Sequence, residues 1–576
     1  AVTGASSAVS IFGVANLGAF GTVSLSNNTV RGNTSTATTG GFTGVTNQGA
    51  VTGTLTMDNN KIGDATAGAV TFSAATSGSV NGITNTAGAA TTVSITGNDI
   101  RGIVHSVAGT SAHNYIANTA AATTLTVASN TFTNLNVNTT GTTTFISMTY
   151  TGTASAVKNV TGNSIVTAFN RGGASGSTLL ITDNGSTVTG ANSNVLNNNF
   201  SNMTVTGTST ITGINLTDGG TAPTKTITGN TFNNWTAGTG TINAINVTYW
   251  NGVSALSNNT ITNITNQGTL TGITMGSTVS TATSIAVASN TITNLSSTGT
   301  GGSVTGITCS NASPLISFTN NTISTLSSTG ASSSVVGLAV SSATSTTASG
   351  NTISGLTASG ATSPTVTGMS VSSGTLANFT GNNINGLSNA GATSRLTRGI
   401  LVSGGTTVNV RANKIYNITN SGASTATATL SGISLTGGTT VNTFNNYVGD
   451  LKAPAANANE VIRGISVTTT SSSTTQNVSY NTIHLTASST GTNFGTSGIF
   501  HTTSATATTA TLNMRNNIIN NASVKSGTGL TVAYRRSSTT LTNYGSASNN
   551  NLVYAGTASA SNLLFYDGTN SDQTLA

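Results

Sequence analysis

The carboxylates of this 576-residue chain are the side chains best suited to acid–base or cation chemistry, and there are only nine. They are Asp58, Asp64, Asp99, Asp183, Asp218, Asp450, Glu460, Asp567 and Asp572. Hydrolysis of a glycosidic bond needs two carboxyl groups at a defined separation, and a calcium site takes about six to eight oxygen ligands. We assign structural or solvent-facing roles to the two close pairs, Asp58 with Asp64 and Asp450 with Glu460. No catalytic, cofactor-binding or metal-binding residue is predicted.

Histidine and cysteine add little to this chemistry. The four histidines are His105, His113, His484 and His501, and no serine has a histidine and an acid at recognisable positions. His501 stands where other repeats carry an inward apolar residue, which predicts a structural histidine. Cys309, the only cysteine, occupies the same position and is predicted to be a small buried hydrophobe. A polysaccharide-processing enzyme is therefore the weaker alternative.

Charge is scarce and unevenly distributed. Charged residues make up 4% of the chain, against about 25% in an ordinary soluble domain. No charged residue lies between Lys225 and Arg395, whereas residues 395–536 carry ten basic and two acidic residues. Such an asymmetry can mark a surface for nucleic acid or an acidic polymer. Because the tyrosines of this region are spread over several repeats, we predict no nucleic-acid partner and scattered solubilising charges.

An Asn-Xaa-apolar tripeptide returns about every 32 residues, from Asn28 to Asn550, in 17 copies. A fixed period of this size is typical of stacked supersecondary units. At a corner, an asparagine amide can bond both the local backbone and the asparagine of the next coil, and asparagine tolerates the left-handed conformation. We therefore predict a buried asparagine ladder. Its central members are Asn259, Asn290, Asn321, Asn351, Asn382 and Asn413.

A glycine column follows the same period. It consists of Gly272, Gly306, Gly337, Gly368, Gly399, Gly432 and Gly464. We predict that these glycines form a corner, where a positive φ or a close backbone approach excludes a Cβ.

Apolar residues alternate within each repeat, as Ile273 with Met275 and Ile285 with Val287 illustrate. Period two over short runs is the signature of β-strands. Three short strands per repeat predict an all-β fold, a right-handed parallel β-helix of about 17 coils that runs through residues 1–576 as one continuous domain. No stretch approaches the roughly 18 apolar residues of a membrane helix, so no membrane span is predicted.

The repeat units have the form Gly350-Asn351-Thr352-Ile353-Ser354-Gly355-Leu356, and the C-terminal part contains Asn549-Asn550-Asn551-Leu552 and Phe565-Tyr566-Asp567-Gly568. This pattern resembles right-handed parallel β-helix repeat proteins of the secreted bacterial surface type, the cargo of the type IX secretion route. The resemblance covers about residues 20–576. It implies a bacterial extracellular or cell-surface protein with a structural rather than an enzymatic role.

We therefore expect a non-enzymatic structural protein, a filament or fibre subunit of the cell surface or matrix. Residues 1–20 and 555–576 look like incomplete terminal coils, so the chain is expected to be a segment of a longer rod or to present an assembly edge. Unpaired strand edges recruit other chains, and contacts of this kind generate open filaments. Self-association end to end or laterally follows from this expectation.

Two other functions remain open at this stage. The chain could be the stalk of a surface adhesin that binds a glycan or a host or neighbouring surface through the variable loops 296–304, 326–336 and 357–366. Rows of Thr-Xaa-Thr, such as Thr260–Thr262 and Thr291–Thr293, also look like ice-binding surfaces, although threonine is in any case a good strand former.

Overall fold

The computed structural model describes residues 3–4, 10–64, 70–153, 155–185, 190–219, 223–276, 281–341, 343–391, 395–469, 474–505 and 511–574. Within these ranges all regular structure is β, as predicted, in three parallel sheets that form a β-solenoid of about 16 turns with repeats roughly 32 residues apart. The chain divides into two compact units, Ala1–Ala286 and Val287–Ala576, which are described separately. The right-handed winding and the single continuous domain stay predictions.

Each coil contributes a first-sheet strand after its ladder asparagine, a second-sheet strand after a polar loop, and a third-sheet strand before the next asparagine. Neighbouring coils pair in parallel and place like residues side by side. In the second unit, for example, Ile292 pairs with Ile323 and Ile323 with Ile353. The alternating sequence directs one face of every strand inward, and burying an aliphatic side chain stabilises the fold by about 1.5–3 kcal/mol.

The first unit contains the following strands. The first sheet has Thr3–Gly4, Thr29–Val30, Asn33–Ser35, Lys61–Ile62, Val70–Phe72, Asp99–Arg101, Ile103–Gly109, Thr131–Thr133, Asn136–Thr139, Ser164–Ile165, Phe169–Gly172, Asn199–Val205, Thr231–Ala237 and Thr260–Asn266. The second sheet has Ile11–Asn16, Phe42–Asn47, Val80–Asn85, His113–Asn118, Thr143–Ser147, Ser177–Asp183, Thr210–Leu216, Ile242–Val247 and Leu270–Met275. The third sheet has Phe20–Ser24, Val51–Thr56, Ala89–Thr96, Ala121–Ala128, Val157–Thr161, Asn192–Leu196, Thr224–Thr228 and Asn251–Ser257. The strand Thr281–Ala288 contains the division between the units.

The second unit repeats this plan. Its first sheet has Thr291–Ser297, Thr322–Ser328, Thr352–Ser354, Thr357–Ala358, Asn383–Asn389, Lys414–Asn420, Tyr447–Gly449, Leu451–Lys452, Thr482–Leu485, Ile518–Asn521 and Leu552–Tyr554. Its second sheet has Val304–Cys309, Ser334–Val340, Thr365–Val371, Leu396–Val402, Leu430–Leu435, Ala458–Val467, Phe494–His501, Thr531–Arg536, Asn562–Tyr566 and Ser571–Asp572. Its third sheet has Ile316–Thr319, Ser345–Ser349, Leu376–Thr380, Thr407–Arg411, Thr440–Phe444, Thr475–Ser479 and Thr511–Arg515.

The glycine column lies inside the second-sheet strands rather than at corners between strands. Gly337 and Leu338 are both buried at the centre of Ser334–Val340, so the inward alternation shifts by one residue there. A Cβ on Gly337 would lie 2.5 Å from the carbonyl oxygen of Gly368 and 2.7 Å from Cγ2 of Ile353. The predicted close backbone approach is therefore present. The φ angles of Gly306, Gly337, Gly368, Gly399, Gly432 and Gly464 all lie outside the left-handed region.

A left-handed residue stands directly before the ladder asparagine. Asn320, Gly350 and Gly381 have φ angles of 54°, 65° and 63°, whereas the expected left-handed residue was the ladder asparagine itself. This αL residue turns the chain from the third sheet into the first sheet, and Gly or Asn adopts the conformation at low cost. A second αL residue follows the ladder asparagine by four positions, as Thr325, Gly355 and Gly386 show.

The last described coil contains an antiparallel pair. Ser571–Asp572 pairs with Phe565 and Tyr566 of the strand Asn562–Tyr566, which pairs in parallel with Thr531–Arg536 on its other side. The described residues form no helix long and apolar enough to cross a membrane.

Candidate functional site

The predicted asparagine ladder is built from buried, mutually bonded amides. In the second unit, Nδ2 of Asn321 donates to Oδ1 of Asn351 at 2.9 Å and to the backbone carbonyl of Val287 at 2.9 Å. Oδ1 of Asn321 accepts from the backbone N–H and Nδ2 of Asn290 at 3.1 and 2.9 Å. Both ends of the amide are thus used within the fold, so the ladder holds coils together and offers no amide to a ligand.

The same geometry recurs in both units. The first unit links Asn28, Asn60, Asn98, Asn130, Asn163, Asn198, Asn230 and Asn259. The second unit links Asn290, Asn321, Asn351, Asn382, Asn413, Asn446, Asn481, Asn517 and Asn551. The last member is Asn551, not Asn550 as the sequence spacing indicated, because Asn550 is the left-handed residue of that turn, with φ 53°.

The carboxylates that lie close in sequence bind different partners. Asp58 accepts hydrogen bonds from Oγ of Ser94 and the backbone N–H of Thr96, whereas Asp64 pairs with Arg31 at 3.5 Å. These contacts hold adjacent coils in register. Asp450 and Glu460 are likewise separated: Asp450 pairs with Lys452 at 2.7 Å, and Glu460 pairs with Arg463 at 3.0 Å and with Arg535 at 3.5 Å.

The other candidate side chains are buried. Burial raises the pKa of Cys309 to about 12, so its thiol stays protonated and is a poor nucleophile. His501 is enclosed, and burial together with the charge of Arg536 lowers its pKa to about 3. His105 and His113 stack in the first unit with ring centroids 5.5 Å apart. Burial lowers the pKa of both histidines.

A second asparagine row, which the sequence analysis missed, lies on the outer face of the third sheet in the second unit. Nδ2 of Asn409 donates to Oδ1 of Asn378 at 2.8 Å, and Nδ2 of Asn442 donates to Oδ1 of Asn409 at 2.8 Å. Asn477 and Asn513 extend the row in the same direction, at 2.8 and 2.9 Å. These side chains are partly exposed because the residues on either side of each point inward. The row presents an ordered series of amides to solvent.

Cationic and aromatic residues flank this amide row. Arg411, Phe444, Ser479 and Arg515 share one register position on four successive coils, two residues after the asparagines. A groove of about 440 Å³ crosses this face. Its lining consists of Thr347, Ser349, Asn378, Thr380, Asn409, Arg411 and Phe444. The outer face of the third sheet from Thr347 to Arg515 is called the amide face below.

The amide face combines hydrogen-bonding, cationic and aromatic groups without an acid. The four acidic residues of the second unit are Asp450, Glu460, Asp567 and Asp572, and none belongs to a described third-sheet strand. Amides and hydroxyls bond sugar hydroxyls, guanidinium groups bind carboxylates, and an aromatic side chain adds apolar contact. The face can therefore bind a hydroxylated, anionic chain without covalent chemistry.

A sequence signal for the amide row exists. The asparagine stands in the segments Leu-Ala-Asn (376–378), Thr-Val-Asn (407–409 and 440–442), Thr-Gln-Asn (475–477) and Thr-Leu-Asn (511–513). It precedes each ladder asparagine by four residues. The Asn-Xaa-apolar tripeptide identifies only the ladder asparagine and therefore does not reveal this row.

A third row is internal to the first unit. Asn16, Asn47, Asn85 and Asn118 end successive second-sheet strands and bond one another at 2.7–2.8 Å.

No protein-family model, curated protein or solved structure matches this chain.

Proposed function

We propose that this chain is a non-enzymatic structural protein of the bacterial cell surface or extracellular matrix, and that its amide face holds an acidic polysaccharide. The observation that carries the proposal is the outward row Asn378–Asn513 with Arg411 and Arg515 beside it. The buried amides of the ladder, by contrast, already hydrogen-bond the neighbouring coils. The resemblance to secreted surface repeat proteins supports the bacterial, extracellular setting.

Charge supports an acidic rather than a neutral ligand. The second unit has ten basic and four acidic residues, a formal excess of six positive charges. Asp450 and Glu460 are neutralised locally by Lys452, Arg463 and Arg535. Arg411 and Arg515 are exposed, so they are available to carboxylate or sulfate groups of a polymer, and the attraction is expected to weaken with salt.

Two structural roles were expected, an adhesive rod and a filament subunit that grows end to end. The antiparallel strand Ser571–Asp572 favours the adhesive rod. This strand occupies the backbone groups along one side of Phe565 and Tyr566. A second copy stacking in parallel at that position would have to displace it. Lateral self-association is compatible with both forms.

The test is binding of the chain to alginate, an anionic polysaccharide, and to neutral dextran, measured by co-sedimentation or gel retardation. We expect retention on alginate that falls with added salt, and at least a tenfold weaker affinity for the double variant Arg411→Ala/Phe444→Ala. Lys452→Ala is the matched control, because this exposed cation lies on the first sheet and already pairs with Asp450. Equal binding of the double variant, or shortening of the alginate chains, contradicts the proposal.

A further inference from the structure

Two lysines and two aspartates are enclosed together in the first unit. The side chains of Lys225 and Asp218 are 0% and 1% exposed, with Nζ 3.1 Å from Oδ2. Lys158 and Asp183 form a second buried pair at 2.7 Å. Lys158, Ser193 and Lys225 occupy one position on three successive third-sheet strands. The four charged groups therefore share one interior region from which water is largely excluded.

The two pairs differ in how fully they are hydrogen-bonded. Nζ of Lys158 donates to Asp183 and to two backbone carbonyls, at 3.0 and 3.3 Å, which satisfies the three N–H groups of an ammonium ion. Nζ of Lys225 donates to Asp218 and to one backbone carbonyl, at 2.8 Å. Within the described part of the chain, Oδ1 of Asp218 has no hydrogen-bond partner. The Lys225–Asp218 pair is thus the less stabilised ion pair, since a buried carboxylate oxygen without a donor is costly.

The surroundings favour uncharged forms of these groups. Burial lowers the pKa of Lys225, which favours the free amine, the nucleophilic form of lysine. Burial also raises the pKa of Asp183, and the charge of Asp218 raises it further. Asp183 remains the ion-pair partner of Lys158, whose charge lowers the pKa of Asp183 in opposition to these two effects.

We propose that Lys225 and Asp218 condense to form an intramolecular isopeptide bond. One proton passes from Lys225 Nζ to Asp218, which leaves an amine and a carboxylic acid. The Nζ lone pair attacks Cγ of Asp218 and forms the N–C bond. The Cγ–Oδ1 bond breaks, and Oδ1 leaves as water with the proton that Asp218 received and one of the two protons on Nζ. The balance is one amine and one acid to one amide and one water, without oxidant or reductant.

The product suits this site better than the ion pair. A neutral amide replaces two buried charges whose desolvation is costly, and its remaining N–H can keep the bond to the backbone carbonyl of Tyr249. Release of water from an enclosed region favours the condensation. The bond would tie the third-sheet strand Thr224–Thr228 to the segment just after the second-sheet strand Thr210–Leu216, which restricts the unfolded chain.

The experiment is intact-mass measurement of the purified full chain under denaturing conditions, followed by trypsin digestion. We expect a mass lower than the sequence mass by one water. Trypsin sites flank Lys225 only at Arg171 and Arg395. Because trypsin does not cleave after an acylated lysine, residues 172–395 should stay in one peptide. Lys225→Arg should show its full sequence mass and cleavage after residue 225.

Two matched variants identify the roles of the neighbours. Lys158→Arg and Asp183→Asn should both still lose one water, because neither side chain takes part in the new bond. A wild-type chain of full sequence mass that is cleaved after Lys225 overturns the proposal. Loss of one water with cleavage after Lys225 and protection of Lys158 also overturns it, because the bond would then belong to the other pair. The wild-type mass and digest decide the question even if a variant fails to fold.

Discussion

At the scale of single residues, position within the coil decides what an asparagine does. Asn351 is buried and bonds the coils on both sides of it. Asn320, 31 residues before it, is in the left-handed conformation. Asn378 belongs to the outward row. The same side chain therefore serves as an internal link, a turn residue and a surface group, because its amide is both donor and acceptor.

Asn321→Leu should destabilise the second unit by about 3 kcal/mol or more, because it removes a buried acceptor of the Asn290 amide and a buried donor to the carbonyl of Val287. Asn409→Leu is the matched control: its amide also bonds a neighbouring asparagine but is partly exposed, so a loss below about 1 kcal/mol is expected. Urea unfolding followed by circular dichroism measures both. Equal losses of stability in the two variants would contradict a stabilising role for the buried ladder.

His501 should make the second unit sensitive to acid. Its Nε2 accepts a hydrogen bond from Nδ2 of Asn543 at 3.1 Å, which requires a neutral ring. The folded-state pKa is about 3, whereas the unfolded chain binds this proton near pH 6.5. The unfolded state is therefore protonated first, and stability should fall by about 1.4 kcal/mol per pH unit as the pH drops from about 6.5 towards 3.

The measurement is the urea midpoint of wild type and His501→Gln between pH 7 and pH 4. The variant is expected to lose less stability over this range than wild type, whatever its stability at pH 7. His484→Gln is the control, because this histidine lies partly exposed on the outer face of the first sheet. An identical pH dependence for wild type and His501→Gln would contradict the prediction.

At the scale of elements, the second-sheet strands differ from the others because their alternation of inward and outward side chains shifts by one residue at the glycine. The strands of the third sheet alternate regularly, as in Leu376–Thr380. In the second sheet, the glycine and the residue after it both face inward, as Gly368 and Met369 do in Thr365–Val371. At Gly368 there is no room for a Cβ, since the carbonyl of Gly399 and the branched side chain of Ile384 both lie close.

Gly368→Ala should destabilise the second unit by about 1–3 kcal/mol, the usual cost of overpacking. Its Cβ would lie 2.5 Å from the backbone oxygen of Gly399 and 2.6 Å from Cγ2 of Ile384, and a sheet carbonyl cannot move without breaking its pairing. Gly301→Ala is the control, because a Cβ there meets nothing within 4 Å. Thermal unfolding should separate the two variants, and an unchanged melting temperature for Gly368→Ala would contradict this account.

At the scale of the whole molecule, repetition makes each coil a replaceable part of its unit. Residues of one coil pair with the equivalent residues of the next, so stability is approximately a sum of coil and neighbour terms. In the second unit, the same ladder, glycine and apolar positions recur from Asn290 to Asn551. A complete coil should then be removable without changing the surroundings of the others.

Deletion of residues 321–350 should leave a folded protein, because Asn351 then takes the place of Asn321 and Ile353 that of Ile323. Both pairs are already equivalent in register. We expect an unchanged β-sheet circular dichroism spectrum per residue and a modest loss of stability. Deletion of residues 321–335 is the control, since it removes half a coil and misaligns every inward column. A folded half-coil deletion, or an unfolded full-coil deletion, would contradict the prediction.

The sequence by itself determined the solenoid and its repeat, because a period of about 32 residues and an inward alternation are local, repeated signals. It also indicated which asparagines lie beside the core, such as Asn321. Only the tertiary structure decided which residue is left-handed, that Asn551 rather than Asn550 ends the ladder, and that Asn378 to Asn513 form an outward row. These depend on the register between coils, which spacing defines only to within a residue or two. The enclosed Lys225–Asp218 and Lys158–Asp183 pairs were likewise not predicted from the sequence, because each lysine meets an aspartate that stands at a different position in the repeat.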